Sequence, residues 1–181
     1  ELASNPMLLS LLCLSFEETL TFPPGRRVEV YKQAVEALMK KWDTRRGIVR
    51  DQIYKGLSLG QREALVSHVA AKTFDDGDYL IGHDRLANHV EDYLRRLPRQ
   101  NEPVEEGDGA IVLRAVEAQH SVWVERAKNI YSFSHLSLHE YFAAHYVVKS
   151  AGANALKRLL TLDHLSDDRW RVVILNTAGL M

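Results

Sequence analysis

The sequence predicts a mainly α-helical fold that is interrupted by one short β-hairpin. Apolar residues recur at a helical spacing along most of the chain. Helix start signals, such as a capping serine, and stop signals, such as paired prolines, separate these stretches into segments of ordinary helix length. Only one segment, near residues 122–133, changes to the alternating pattern of β-strands.

Two helices are predicted at the beginning of the chain. Ser4 or Asn5 followed by Pro6 is a strong helix start, because a polar side chain can cap free amides and proline is preorganised for the first turn. This helix should continue to about residue 20, and the stretch 21–25, with two prolines, ends it. A second helix follows over about residues 26–46.

Three more helices are predicted before the hairpin. Ser58 can cap the first of them, with Gln61 three residues later completing a capping box. The acidic turn at 75–78 ends that helix, and Pro98 follows the next one. A charged loop at 99–109 precedes the third. The last two helices are expected at about residues 84–97 and 110–120.

The hairpin is predicted from Val122 and Val124, which alternate with Trp123 and Glu125, and from the β-prone residues that follow the loop 126–129. A long helix over 136–149 and two shorter ones, at about 154–162 and 167–180, complete the chain. Three helices, a hairpin and a long helix form the pattern of a winged-helix module. We therefore predict a helical domain at 1–57, a winged-helix domain at 58–149 and the start of a second helical domain at 150–181.

Composition limits the functions that the chain can have. The formal charge is -1 for 23 basic and 24 acidic residues, so no general attraction to nucleic acid or anionic lipid is expected. The single cysteine, Cys13, lies in an apolar run where we expect it to be a small buried side chain. No apolar run approaches the roughly 20 residues that span a bilayer. The sequence also begins and stops without signals typical of a complete protein, so we expect an excerpt of a larger one.

No complete catalytic motif is found. Gly77 and Gly82 have the spacing of a phosphate-binding P-loop, but the lysine and hydroxyl residues that should follow are absent. His135 and His139 stand four residues apart, as two metal ligands on one helix face would, but no third ligand follows at a recognisable spacing. We predict no catalytic residue and no metal ligand in this chain.

Binding of DNA is an alternative that the winged-helix pattern raises. The helix 110–120 would be the recognition element, and Arg114, Arg126 and Lys128 would supply the positive charge. Acidic residues nearly balance this face, so attraction to phosphate should be weak. These acidic residues are Glu105, Glu106, Asp108, Glu117 and Glu125.

Two segments resemble landmarks of a known family. FSHLSLHEYFAA at residues 133–144 and NPMLLSLLC at residues 5–13 are similar to the NACHT family of signalling ATPases, the STAND-class switches that include NOD-like receptors and bacterial relatives. The stretches at 28–43, 113–135 and 167–181 also resemble the corresponding region of bacterial members, so the similarity covers nearly the whole chain. It implies the part of such a protein that follows the nucleotide-binding core.

The resemblance assigns roles to two residues. In the family, the proline of the first landmark packs near adenine, which implies this role for Pro6. The histidine of the second landmark contacts the β-phosphate of bound ADP and holds the closed, inactive state, which implies this role for His135. Many members have glutamine at the position of His139, so the resemblance assigns that residue no role.

The function implied is a regulatory lid and switch fragment that is not itself an enzyme, in a cytoplasmic ATPase of innate immunity or bacterial defence. ADP or ATP, with magnesium in the complete protein, would be the cofactor, and no tight binding by the isolated fragment is expected. The expected partners are the protein's own nucleotide-binding core and a C-terminal sensor domain, with homo-oligomers on activation and neither nucleic acid nor membrane. The alternatives are a winged-helix DNA-binding module and a helical protein-interaction scaffold without a nucleotide link.

Overall fold

A computed structural model describes residues 9–10, 12–13, 16–17, 27–41, 56–97, 104–120, 122–149, 156–157 and 159–181. The chain divides into two compact units, Glu1–Gly47 and Ile48–Met181. Helices dominate the described residues of both units, and the described strands form one small antiparallel sheet, so the prediction of a mainly α fold with a short hairpin is confirmed. No helix in the described part of the chain is long and apolar enough to cross a membrane.

In the first unit, helix α1 spans Arg27–Lys41 and buries one face. Among the α1 side chains whose burial the structure describes, the buried ones are Val30, Tyr31, Ala34, Val35 and Ala37. The described residues before α1 are also helical. Leu9, Cys13 and Phe16 share one face by their spacing and are exposed. The expectation of a buried Cys13 was therefore wrong, since Cys13 lies on the exposed face of this helical stretch.

The second unit contains the remaining described elements, in the order α2 (Leu59–Asp75), β1 (Ile81–Gly82), α3 (His83–Arg96), α4 (Asp108–His120), β2 (Trp123–Ala127), β3 (Ile130–Phe133), α5 (Leu136–Lys149), α6 (Leu162–Ser166) and α7 (Trp170–Leu180). Helix α2 begins with the predicted capping box. The Ser58 hydroxyl accepts from the Gln61 amide at 3.3 Å, and the Gln61 side chain accepts from the Ser58 amide at 2.8 Å. Two amides that the helix cannot satisfy internally are thereby bonded.

The sheet has the strand order β1-β3-β2, with both pairs antiparallel. Together with the sequence order of helices and strands, this is the topology of a winged helix, with β2 and β3 as the wing hairpin. Strand β1 was not predicted. It has only two residues, and it pairs Ile81 with Tyr131 and Gly82 with Ile130, about fifty positions further along the chain. A local pattern of two residues carries no strand signal.

The core of the second unit lies where α2, α5 and α7 pack on one another. Phe74 of α2 is its centre, since its ring meets the Trp170 ring edge to face at a centroid distance of 5.0 Å and the His139 ring at 5.2 Å. Helices α3 and α4 pack together beside the sheet. Helix α5 thus contacts α2 on one side and α7 on another, which fixes its amino end relative to the rest of the unit.

The segment after α5 differs from its prediction. Residues 150–155, where a helix was expected to start, lie outside the described residues, and 156, 157 and 159 are helical. Helix α6 over Leu162–Ser166 was expected to be mostly a connection. It forms because the Thr161 hydroxyl accepts from the His164 amide at 3.4 Å and so caps it. The division into three domains stays a prediction.

Candidate functional site

The site lies at the connection between strand β3 and helix α5. The Ser134 amide donates to the Val122 carbonyl at 2.7 Å, so the connection is tied to the start of the wing hairpin. Phe133 before it is buried, whereas His135 after it is exposed. The second of the two connecting residues, His135, therefore presents an imidazole ring to solvent from a fixed backbone.

His135 is the N-cap residue of α5. Its carbonyl accepts from the amides of Leu138 at 3.0 Å and His139 at 3.3 Å, and its Nδ1 accepts from the Ser137 amide at 3.2 Å. A ring nitrogen that accepts an N–H bond carries no proton itself, so the neutral ring holds its proton on Nε2. Within the described part of the chain, Nε2 has no partner. The ring thus offers one N–H donor at the amino end of a 14-residue helix.

Arg126 reaches the same connection from strand β2. Its Nε donates to the Ser132 hydroxyl at 2.9 Å, and its Nη2 donates to the Ser134 carbonyl at 3.0 Å. Arg126 was expected in the wing loop, but β2 extends to Ala127 and the turn has only two residues. The left-handed Asn129, with φ 60°, makes that short turn, and Asn at this position was the signal that could have predicted it.

His139 lies one helical turn after His135 but is buried. Its Nε2 is 3.1 Å from the Ala70 carbonyl and 2.9 Å from the Thr73 hydroxyl, and its ring stacks on Phe133 at 4.2 Å. Burial lowers the pKa of His139 from 6.5 to about 4, and the bond to the Ala70 carbonyl opposes this only in part. A neutral His139 therefore joins α5 to α2 as part of the core.

His145 has a different environment again. Its Nδ1 is 3.0 Å from the Ser67 hydroxyl, and its Nε2 is 3.3 Å from the Glu63 carboxylate. Ser67, His145 and Glu63 resemble the set of a serine hydrolase, and their separation along the chain gave no sequence signal for it. However, Ser67 is only 2% exposed and its hydroxyl donates to the Glu63 carbonyl at 2.7 Å, so no substrate can reach it. This set holds α5 on α2.

The histidines of α5 do not converge. His135 faces solvent, while His139 and His145 bond to separate positions of α2. Among the residues that the structure describes, no group of three or more His, Cys, Asp or Glu side chains could hold a metal ion. Pro6, the other predicted nucleotide contact, lies outside the described residues.

The face proposed for DNA carries charges of both signs. Arg114 on α4 and Lys128 in the turn are exposed. Glu117 accepts from the Tyr131 hydroxyl at 3.4 Å, and Glu125 accepts from the Asn129 amide at 2.7 Å. Both carboxylates thus accept hydrogen bonds from residues of the hairpin. They also offset part of the positive charge of this face.

Comparison with family models, curated proteins and solved structures finds no match for this chain. Any functional conclusion therefore depends on the site geometry and on the sequence resemblance.

Proposed function

We propose that this chain is the regulatory lid and switch part of a NACHT-type NTPase, in which His135 contacts a phosphate of ADP held by a separate nucleotide-binding core. The observation that carries the proposal is the position of His135 as an exposed N-cap, whose Nδ1 accepts from the Ser137 amide and whose Nε2 has no partner among the described residues. The amino end of a helix attracts anions, because its amides are free and its dipole is positive there.

The packing of α5 suggests how such a contact would act as a switch. His139 and His145 bind α5 to α2, and α7 packs on α5, so the backbone of His135 keeps a fixed position relative to these helices. A phosphate contact at His135 would therefore favour one position of the whole unit. Closure on ADP would hold the lid over the core, and exchange for ATP would release it toward a sensor region downstream. In this proposal, the complete protein carries out ATP hydrolysis with magnesium, and this chain acts on the bound nucleotide from outside the catalytic core.

The first test concerns the complete protein. The residues encoded before Glu1 should contain a P-loop lysine and the acidic residues that hold magnesium. A complete protein without them would contradict the proposal and leave a helical interaction scaffold as the alternative.

The decisive variants separate the two nitrogens of His135. In His135→Asn, the short side chain keeps an oxygen that caps the helix but has no group at the place of Nε2, so ADP release should accelerate by roughly ten- to a hundredfold with an unchanged melting temperature. In His135→Gln, the amide replaces the Nε2 donor but loses the cap, so ADP retention should be largely kept while stability falls by about 1 kcal/mol.

ADP release from the complete protein, basal signalling output and melting temperature are measured on both variants. If His135→Asn retains ADP normally and His135→Gln loses ADP retention in proportion to its lost stability, then His135 is only a helix cap. His135→Ala combines both losses and so serves as the reference.

DNA binding is the second candidate, since the α-β-α-α-β-β order and the β1-β3-β2 sheet are used by many DNA-binding modules. Retention of the chain on duplex DNA that falls steeply with salt would favour it. The mixed charge of the face predicts little retention above 0.15 M salt.

A further inference from the structure

We infer that Arg126 is a second phosphate-binding side chain beside His135, an inference that depends on the proposed function. The two hydrogen bonds of Arg126 hold its guanidinium at the β3–α5 connection, and one of them ends on the peptide group that joins Ser134 to His135. The group is thus placed next to the cap by the hairpin itself, and not by a flexible side chain alone.

The charge of Arg126 is not neutralised by its bonds. Both acceptors, the Ser132 hydroxyl and the Ser134 carbonyl, are uncharged, and Arg126 makes no ion pair with any residue that the structure describes. Its sequence neighbour Glu125 has its carboxylate bonded to the Asn129 amide. Arg126 is therefore a fixed, exposed cation.

The donors that remain suit a phosphate. A guanidinium has five N–H groups, and the two bonds described use two of them, so about three remain for a ligand. Their planar arrangement matches two phosphate oxygens at once, which an ammonium group cannot do. A nucleoside diphosphate whose terminal phosphate meets His135 would bring a second or third oxygen toward Arg126. We commit to the phosphate of a bound nucleotide as the ligand of this pair.

The test compares Arg126→Gln with Lys128→Gln in the complete protein. Both substitutions remove one exposed positive charge from the same hairpin, but only the Arg126 side chain is bonded to the β3–α5 connection. ADP affinity should fall by roughly tenfold or more in Arg126→Gln and stay within twofold in Lys128→Gln. AMP, which lacks the terminal phosphate, should bind both variants like the unchanged protein.

A purely structural role for Arg126 predicts a different result. Loss of the hydrogen bonds from Arg126 to Ser132 and Ser134 would lower the melting temperature and weaken the binding of ADP and AMP equally. Ser132→Ala provides the matched control, because it removes one of the two hydrogen bonds of Arg126 and leaves the guanidinium in place. ADP affinity should therefore be almost unchanged.

The remaining outcomes separate this inference from the proposed function. If His135→Asn weakens ADP binding and Arg126→Gln does not, the inference on Arg126 is wrong and the proposed function stands. If the complete protein does not bind ADP at all, both are wrong. If Arg126→Gln instead reduces retention on DNA and leaves ADP affinity unchanged, Arg126 belongs to a DNA-contacting wing.

Discussion

Gly109→Ala should destabilise the protein, although glycine is normally the worst residue for a helix interior after proline. Gly109 is the second residue of α4, at the point where α4 packs on α3. A methyl group there would lie 2.2 Å from the Ala87 carbonyl oxygen, 3.0 Å from its carbon and 3.1 Å from the Glu91 Cβ. Because two of these three atoms are backbone, the helices must separate to make room.

The size of the effect follows from two opposing terms. Overpacking of a tight contact costs about 1–3 kcal/mol and more where backbone must move. Helix propensity returns at most about 1 kcal/mol for the change from glycine to alanine. Because backbone must move at Gly109, the cost lies at the upper end of this range, and a net loss of about 2 kcal/mol is expected. Each kcal/mol should lower the melting temperature by about 2–4 °C in a chain of this length.

Gly60→Ala is the matched control. Gly60 is also the second residue of a helix, α2, and an added methyl group would meet nothing within 4 Å. It should be neutral or stabilise by up to about 1 kcal/mol. Thermal unfolding of both variants, followed by the helical circular dichroism signal, measures the difference. Equal melting temperatures for the two variants would refute the close approach of α3 and α4 at Gly109.

Two more predictions concern α2 and its contact with α5. Below pH 6.5 the unfolded chain protonates His139, whereas the folded protein does not until about pH 4. The free energy of unfolding should therefore fall as the pH is lowered from 6.5 to 4, by about 3 kcal/mol from this group. Urea unfolding of His139→Gln should show a smaller dependence on pH in this range, and equal slopes for the variant and the unchanged protein would contradict the pKa of His139. Part of the slope should persist, because burial also lowers the pKa of His68 to about 4. Ser58→Ala removes the capping box of α2 and should cost about 1 kcal/mol in the same assay, whereas Ser58→Asp should restore it.

The elements that the sequence predicted are those that short-range chemistry specifies. The capping box at Ser58 and Gln61 and the hairpin of β2 and β3 are defined within a few residues, and both were predicted. Strand β1 was not predicted, because it is defined only by its pairing with β3. Gly109 was assigned to an exposed loop for a similar reason. Its role is a contact between two helices, which periodicity does not reveal.

The candidate site was predicted in part, and its limits have the same cause. His135 was named from the resemblance, and no spacing rule could predict that its Nδ1 accepts from the Ser137 amide while Nε2 has no partner among the described residues. Arg126 was assigned to a wing facing DNA, because the sequence alone suggested a loop of four residues. The two-residue turn moves Arg126 into a strand, and its side chain then bonds back to the β3–α5 connection.

Position along α5, more than residue type, decides what each of its histidines can do. At the cap, the first turn leaves amides that need an acceptor, so one nitrogen of His135 is fixed and the other stays exposed. One turn later, His139 lies against α2, where burial keeps it neutral near pH 7 and makes it a donor to a carbonyl. The spacing of four residues that suggested a metal pair therefore separates an exposed helix cap from a buried contact with α2. If His135 holds a phosphate, the free energy of that contact acts on α2 and α7 through His139 and its neighbours, because α5 cannot tilt without breaking their buried bonds.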